Sequence, residues 1–318
     1  MASRVYQYMV DIGSSVGHNF LEAINQVAVP LGNRKYGGIV MASADDKWGI
    51  EVVRDDAVRG QFKAALFDFD GTISLIRQGW QDVMVPYFTE LLMKVGSDGR
   101  QEQVSSYVRD FVDELTGKQT IYQCIRLAEE IRRLGGHPLE PLEYKNEYHR
   151  RLLQRIDHRL QGLKDGSIAP AELLVPGVLD FLAALRTREV KLYLASGTDE
   201  VYVLAEAASL GVAQFFDGGI YGALDQYQLF SKAKVIQKIM TEHGLSGSHL
   251  LGVGDGFVEI ENVKAVGGFA VGLASDEARR HGIDPWKRER LIRAGADIII
   301  PEFSQTQTLM EYLFPAEQ

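Results

Sequence analysis

The chain has 318 residues, 46% of them hydrophobic and 24% charged, enough apolar material for one large domain with an insertion or for two modest ones. A formal net charge of −9 argues against a general nucleic-acid binder, and a single cysteine, Cys124, excludes an internal disulfide. No apolar run approaches the roughly 20 residues of a membrane span, and the start lacks the apolar core of a secretion signal, so a cytoplasmic protein with no membrane partner is expected.

Residues 1–60 read as an N-terminal extension. Residues 11–18, Asp-Ile-Gly-Ser-Ser-Val-Gly-His, look superficially like a phosphate loop but lack the Lys-Ser/Thr ending, and a turn into a helix over 19–27 is the simpler reading. Short strand candidates at 38–41 and 49–53 form a hairpin around Asp45 and Asp46.

At residues 64–72 the pattern changes to Ala-Ala-Leu-Phe-Asp-Phe-Asp-Gly-Thr. An apolar run of this kind suits a buried parallel strand, and it delivers Asp68 and Asp70 to its carboxyl end, where Gly71 lets the backbone turn. Alone, Asp-Gly-Thr is also an ordinary turn before a helix cap.

From 78 to 163 strand pattern is nearly absent and apolar residues recur at helical spacing, as in Val83, Tyr87, Leu91 and Val95, then Val104, Val108, Phe111 and Leu115. Three or four helices are expected, with breaks near 96–99, 116–117, 135–141 and 166–170. Cys124, among Ile121, Ile125 and Leu127, reads as a small core residue. Beyond Pro176-Gly177 strands return at 190–195, 250–253, 269–272 and 297–300, separated by helical tracts at 201–210, 232–243 and 288–294. Such alternation implies a parallel sheet with right-handed crossovers, its polar tips gathered on one edge. The basic run from Arg279 to Arg290 reads as a solvated face.

Those tips carry Asp68 and Asp70, Ser196 with Gly197, and Asp255 with Glu259 downstream, while Lys232 opens a helix between the last two groups. Each has a bland reading: Ser196 as a helix cap, Lys232 in competition with Lys234. In this order and spacing the set resembles the haloacid dehalogenase superfamily over residues 63–305. The resemblance implies an α/β fold with a Rossmann-like parallel sheet core, residues 61–75 and 172–318, and an inserted all-helical cap, residues 76–171.

The resemblance further implies that Asp68 attacks phosphorus to form an aspartyl phosphate, and that Asp70 protonates the leaving oxygen and later activates water. Ser196 and the Gly197 amide would hold phosphoryl oxygens, with Thr72 beside them, and Lys232 would offset the charge of the phosphate. Mg²⁺ would be held by Asp68, the Asp70 carbonyl and Asp255, with Glu259 either reaching the metal through water or holding Lys232. Lys118 and Gln119, in a polar break of the helical tract, are candidate substrate contacts, though an ordinary interhelical turn fits as well; Arg77 and Trp80 could face the same cleft. The expected activity is a Mg²⁺-dependent phosphatase for a small phosphorylated metabolite such as a phosphosugar, with a phosphomutase or a catalytically silent regulatory module as alternatives.

Overall fold

The computed structural model describes residues 39–40, 49–96 and 99–316. In chain order it begins with β1 (Ile39–Val40), β2 (Ile50–Val52) and β3 (Ala64–Phe67). Four helices follow: α1 (Gln81–Val95), α2 (Gln101–Glu114), α3 (Thr120–Arg133) and α4 (Pro141–Asp165). The rest alternates α5 (Val178–Thr187), β4 (Lys191–Asp199), α6 (Glu200–Ser209), β5 (Gly219–Ala223), α7 (Lys232–Glu242), β6 (Leu250–Gly254), α8 (Phe257–Ala265), β7 (Phe269–Leu273), α9 (Pro285–Ala294), β8 (Ile298–Ile300) and α10 (Thr306–Leu313). None of these helices is long and apolar enough to cross a membrane.

Among the described residues the strands form one sheet in the order β1-β2-β8-β7-β6-β3-β4-β5, parallel from β8 to β5. The apolar runs are explained by burial on both faces. Ala65 and Phe67 pack on one side with Leu251 and Val253, while Ala64 and Leu66 pack on the other with Leu250, as the two-residue period of a strand requires. β3 is hydrogen-bonded along its whole length to β4 and to β6, and the chain leaves it in opposite directions. That reversal puts a crevice at the carboxyl end of β3.

The loop at 11–18, the helix at 19–27 and the turn at Asp45-Asp46 lie outside the described residues. The hairpin's strands are present, with Ile39 opposite Glu51 and Val40 opposite Ile50. β2 then pairs antiparallel with β8, so part of the segment read as an extension supplies the edge of the main sheet.

The observed strands differ from the expected ones in two places, β5 and the end of β4. β5 has no apolar run to announce it, because it is glycine-rich by necessity: a Cβ on Gly222 would stand 2.3 Å from the Cα of Glu200. Between β5 and α7, Tyr227–Leu229 make a short 3-10 turn. β4 also runs on past Ala195, through an irregularity, to pair Asp199 with Ala223.

The helical insertion joins the sheet through a narrow neck. Leu75 N–H donates to Leu173 O at 2.8 Å, and Val175 N–H donates to Ile73 O at 3.0 Å, so the outgoing and returning chains bond to each other. The expected breaks are left-handed glycines at 96, 117, 135 and 166. Inside, Phe88 stacks on Phe111, and Cys124 is fully buried, which pushes its thiol up to about 12.

Candidate active site

Asp68 is the first residue beyond β3, and its N–H still continues the ladder to Val253 O at 3.0 Å. Its Oδ1 accepts from Phe69 N at 2.8 Å and lies 2.9 Å from Lys232 Nζ. Oδ2 is thereby the oxygen left for chemistry. Burial pushes this carboxyl up to about 6, Lys232 pulling the other way and Asp255 adding to the rise. Lys232 is set by the cap of its helix: the Ser231 side chain accepts from Lys234 N, which places Lys232 in the first turn, 4% exposed, with Lys234 turned to solvent.

Asp70 lies two residues on, past the turn into the loop. Its Oδ2 accepts from Thr198 Oγ1 at 2.8 Å and from Ser196 Oγ at 3.2 Å. Its Oδ1 is buried with no hydrogen-bond partner among the described residues, 3.8 Å from Arg77 Nε. Arg77 is clamped in turn by Glu206, whose oxygens receive both Nε and Nη2. Burial alone would lower the guanidinium, but Glu206 and then Asp70 outweigh it and raise it.

Asp255 follows β6. Its N–H donates to Thr72 Oγ1 at 3.0 Å, Thr72 donates back to Oδ1 at 3.3 Å, and Lys287 Nζ is 2.8 Å from Oδ2 and 2.6 Å from Glu277 Oε1. Gly71 is obligatory beside it: φ is +75° and a Cβ would sit 2.3 Å from Asp255 Oδ2. Burial pushes Glu277 up; it pulls Lys287 down, but Asp255 and Glu277 together leave that ammonium above its ordinary value.

These groups surround a cavity of about 100 Å³ between the sheet edge and the insertion. Asp68, Asp70, Gly197, Lys232 and Asp255 line its floor, and Lys118 lines it from the loop between α2 and α3. Five expectations are redirected by packing. Thr72, fully buried, braces Asp255 and does not line the cavity. Ser196, also fully buried, accepts from Thr198 N at 3.0 Å and serves Asp70. Gln119 is the interhelical clamp of the loop, its Nε2 donating to Tyr227 O and Phe230 O. Glu259, 2% exposed, lies against Lys232 Nζ behind the cavity, the second of the two roles open to it. Lys287, in the basic run read as a solvated face, points inward.

Thr198, Glu206, Glu277 and Lys287 were missed. The Asp284-Pro285 pair was the available signal for Lys287, since Asp284 caps α9 by accepting from Trp286 N and Lys287 N and so fixes where that helix begins.

The donor set suits a hard divalent ion. Asp68 and Asp255 leave neighbouring strands, and among the described residues no backbone hydrogen bond reaches the Asp70 carbonyl. Among those residues no group of three His, Cys, Asp or Glu side chains is assembled for a metal. Two carboxylates, a carbonyl and water fit Mg²⁺, which keeps much of its hydration, better than a softer metal.

A family model described as haloacid dehalogenase-like hydrolase matches residues 62–267. A phosphoglycolate phosphatase of Synechococcus elongatus is 29% identical over 123 residues, 39% of this chain and 54% of that protein, so the chain spans about half the length of the curated relative it matches. Among solved structures, β-phosphoglucomutase of Clostridium difficile superposes with a TM-score of 0.52 at 16% identity, over 79% of this chain and 96% of the other. A predicted phosphoglycolate phosphatase of Haemophilus somnus does so with a TM-score of 0.50 at 17% identity, over 79% and 98%. At such identities the likeness bears on the fold.

Proposed function

Since the chain belongs to the haloacid dehalogenase-like hydrolases, we propose that it is a phosphatase that cleaves a small phosphate monoester, such as a phosphosugar, through an aspartyl phosphate on Asp68. The observation that carries this is the division of labour within the two acids. Each has one oxygen held by the protein and one without a hydrogen-bond partner among the described residues, Oδ2 of Asp68 and Oδ1 of Asp70.

Asp68 Oδ2 attacks phosphorus in line; the bond to the leaving oxygen breaks, and Asp70 gives that oxygen its proton. Asp70 then takes a proton from water, whose oxygen attacks phosphorus, freeing phosphate and restoring the Asp68 carboxylate. Lys232, the Gly197 amide and Lys118 offset the charge of the phosphoryl oxygens. Bound Mg²⁺, held by Asp68, Asp255 and the Asp70 carbonyl, would neutralise charge that otherwise repels a carboxylate nucleophile.

Phosphate release from an aryl phosphate tests the reading. The unsubstituted chain turns over with Mg²⁺ and stops with chelator, and Asp68→Asn lowers the rate by at least about a thousandfold while unfolding at a similar temperature. Undiminished turnover in Asp68→Asn would remove the nucleophile assignment. An isomerised phosphosugar without free phosphate would replace hydrolysis by phosphoryl transfer within the substrate.

A further inference from the structure

On the side away from the phosphate, the cavity is closed by the helical insertion. Trp80, Met84 of α1 and Tyr148 and Leu152 of α4 give it an apolar wall, the last pair one helical turn apart. Gln78 and Thr120 also line the cavity from this side, but Gln123 of α3, 3% exposed, is the lining residue of the insertion whose buried side-chain oxygen, Oε1, has no hydrogen-bond partner among the described residues. Leaving a buried amide oxygen unpaired costs stability, and among the described residues no donor reaches it.

Two of the cations nearby are already paired. Arg77 is fastened to Glu206, and Lys145, 3% exposed, lies 2.5 Å from Asp199. The backbone carbonyl of Lys118 packs on Gly197 at the phosphate end, and the proposed function gives its ammonium to the phosphoryl oxygens.

We propose that this pocket binds the leaving group of the substrate, and that the group is uncharged, with an apolar face for Trp80 and Leu152 and a hydroxyl for Gln123. A hydroxyl both donates and accepts, so it satisfies the amide whichever way that group is turned. A carboxylate in the same place would be desolvated and would have to draw Lys118 away from the phosphate to be compensated. The inference rests on the phosphatase reading for where the phosphate sits. It narrows that reading to esters of small neutral alcohols that carry a second hydroxyl, and it disfavours esters of hydroxy acids.

The full chain carrying Asp68→Asn, which should hold an ester without cleaving it, allows binding to be measured apart from turnover. Calorimetry with Mg²⁺ and three probes, 3-hydroxypropyl phosphate, propyl phosphate and phosphoglycolate, should give at least about tenfold tighter binding to the first than to either other. Adding Gln123→Leu should erase the preference over propyl phosphate. Because that change replaces an unpaired amide by an apolar group of similar size, the thermal midpoint should stay level or rise, with Gln123→Met as a second variant.

Equal affinity for the two alkyl esters, including no measurable binding of either, overturns the proposal. So does tightest binding of phosphoglycolate, or a fall in midpoint showing that Gln123 serves the fold. Failure of the phosphatase reading appears separately, as an absence of phosphate release by the unsubstituted chain.

Discussion

The Arg77 guanidinium and the Glu206 carboxylate are 5% and 4% exposed, and each is the other's main compensation for leaving water. Removing one leaves a bare charge in the interior. Arg77→Ala should therefore cost about 3–5 kcal/mol in urea unfolding, whereas Arg77→Met with Glu206→Leu should recover most of it. Both proteins lose the ion pair at Asp70, so kcat should remain low in the double variant although stability returns. Equal stabilities for the single and double variants would show that the pair does not act this way. At this scale the sequence discloses residues whose neighbours along the chain define them. Asp68 and Asp70 end an apolar run at a glycine turn and are legible; Thr198 and Glu206 acquire meaning from partners more than a hundred positions away, which no local spacing encodes.

The loop between α2 and α3 joins the helical insertion to the sheet by two devices. Gln119 donates to the Tyr227 and Phe230 carbonyls, and Gly197 lets the loop lie close enough that a Cβ there would be 2.7 Å from Lys118 O. Gly197→Ala should lift the loop away. The expected result is a KM raised at least about tenfold with a thermal midpoint lowered by only a few degrees, since the strain is relieved at a seam and not in the core. A large fall in midpoint with KM unchanged would contradict this. Long elements were readable because burial on two faces writes continuous apolar runs and burial on one face writes a helical stripe. β5 escaped notice because the close approach of Glu200 requires glycine where an apolar residue would have marked a strand.

Over the whole molecule, the link between insertion and sheet contains a titrating group. His149 of α4, 7% exposed, lies 3.5 Å from Asp199 Oδ2, and burial lowers it to about 4, with Asp199 opposing and Arg77 and Lys145 adding to the drop. An unfolded histidine binds its proton near pH 6.5, so between about 6.5 and 4 the unfolded chain holds a proton that the folded chain refuses. Stability from this group is therefore complete above that window and lost as pH falls through it, by on the order of 3 kcal/mol. His149→Gln should flatten the pH dependence of urea unfolding between pH 6.5 and 4; an unaltered slope would place the titration elsewhere. The architecture as a whole was legible from the alternation of strands and helices after residue 172 and the purely helical tract before it. The hairpin of β1 and β2 was legible too, but its antiparallel pairing with β8 was not, because nothing in two such short strands says which sheet edge they join.

The neck at Ile73–Val175 and Leu75–Leu173 has a consequence for descent. Since the outgoing and returning chains bond to each other there, the sheet ladder would remain closed if everything beyond the neck were exchanged. On the function proposed above, cleavage would be inherited with the strands and taste with the helices, so a lineage could try new substrates without rebuilding the groups that break the bond.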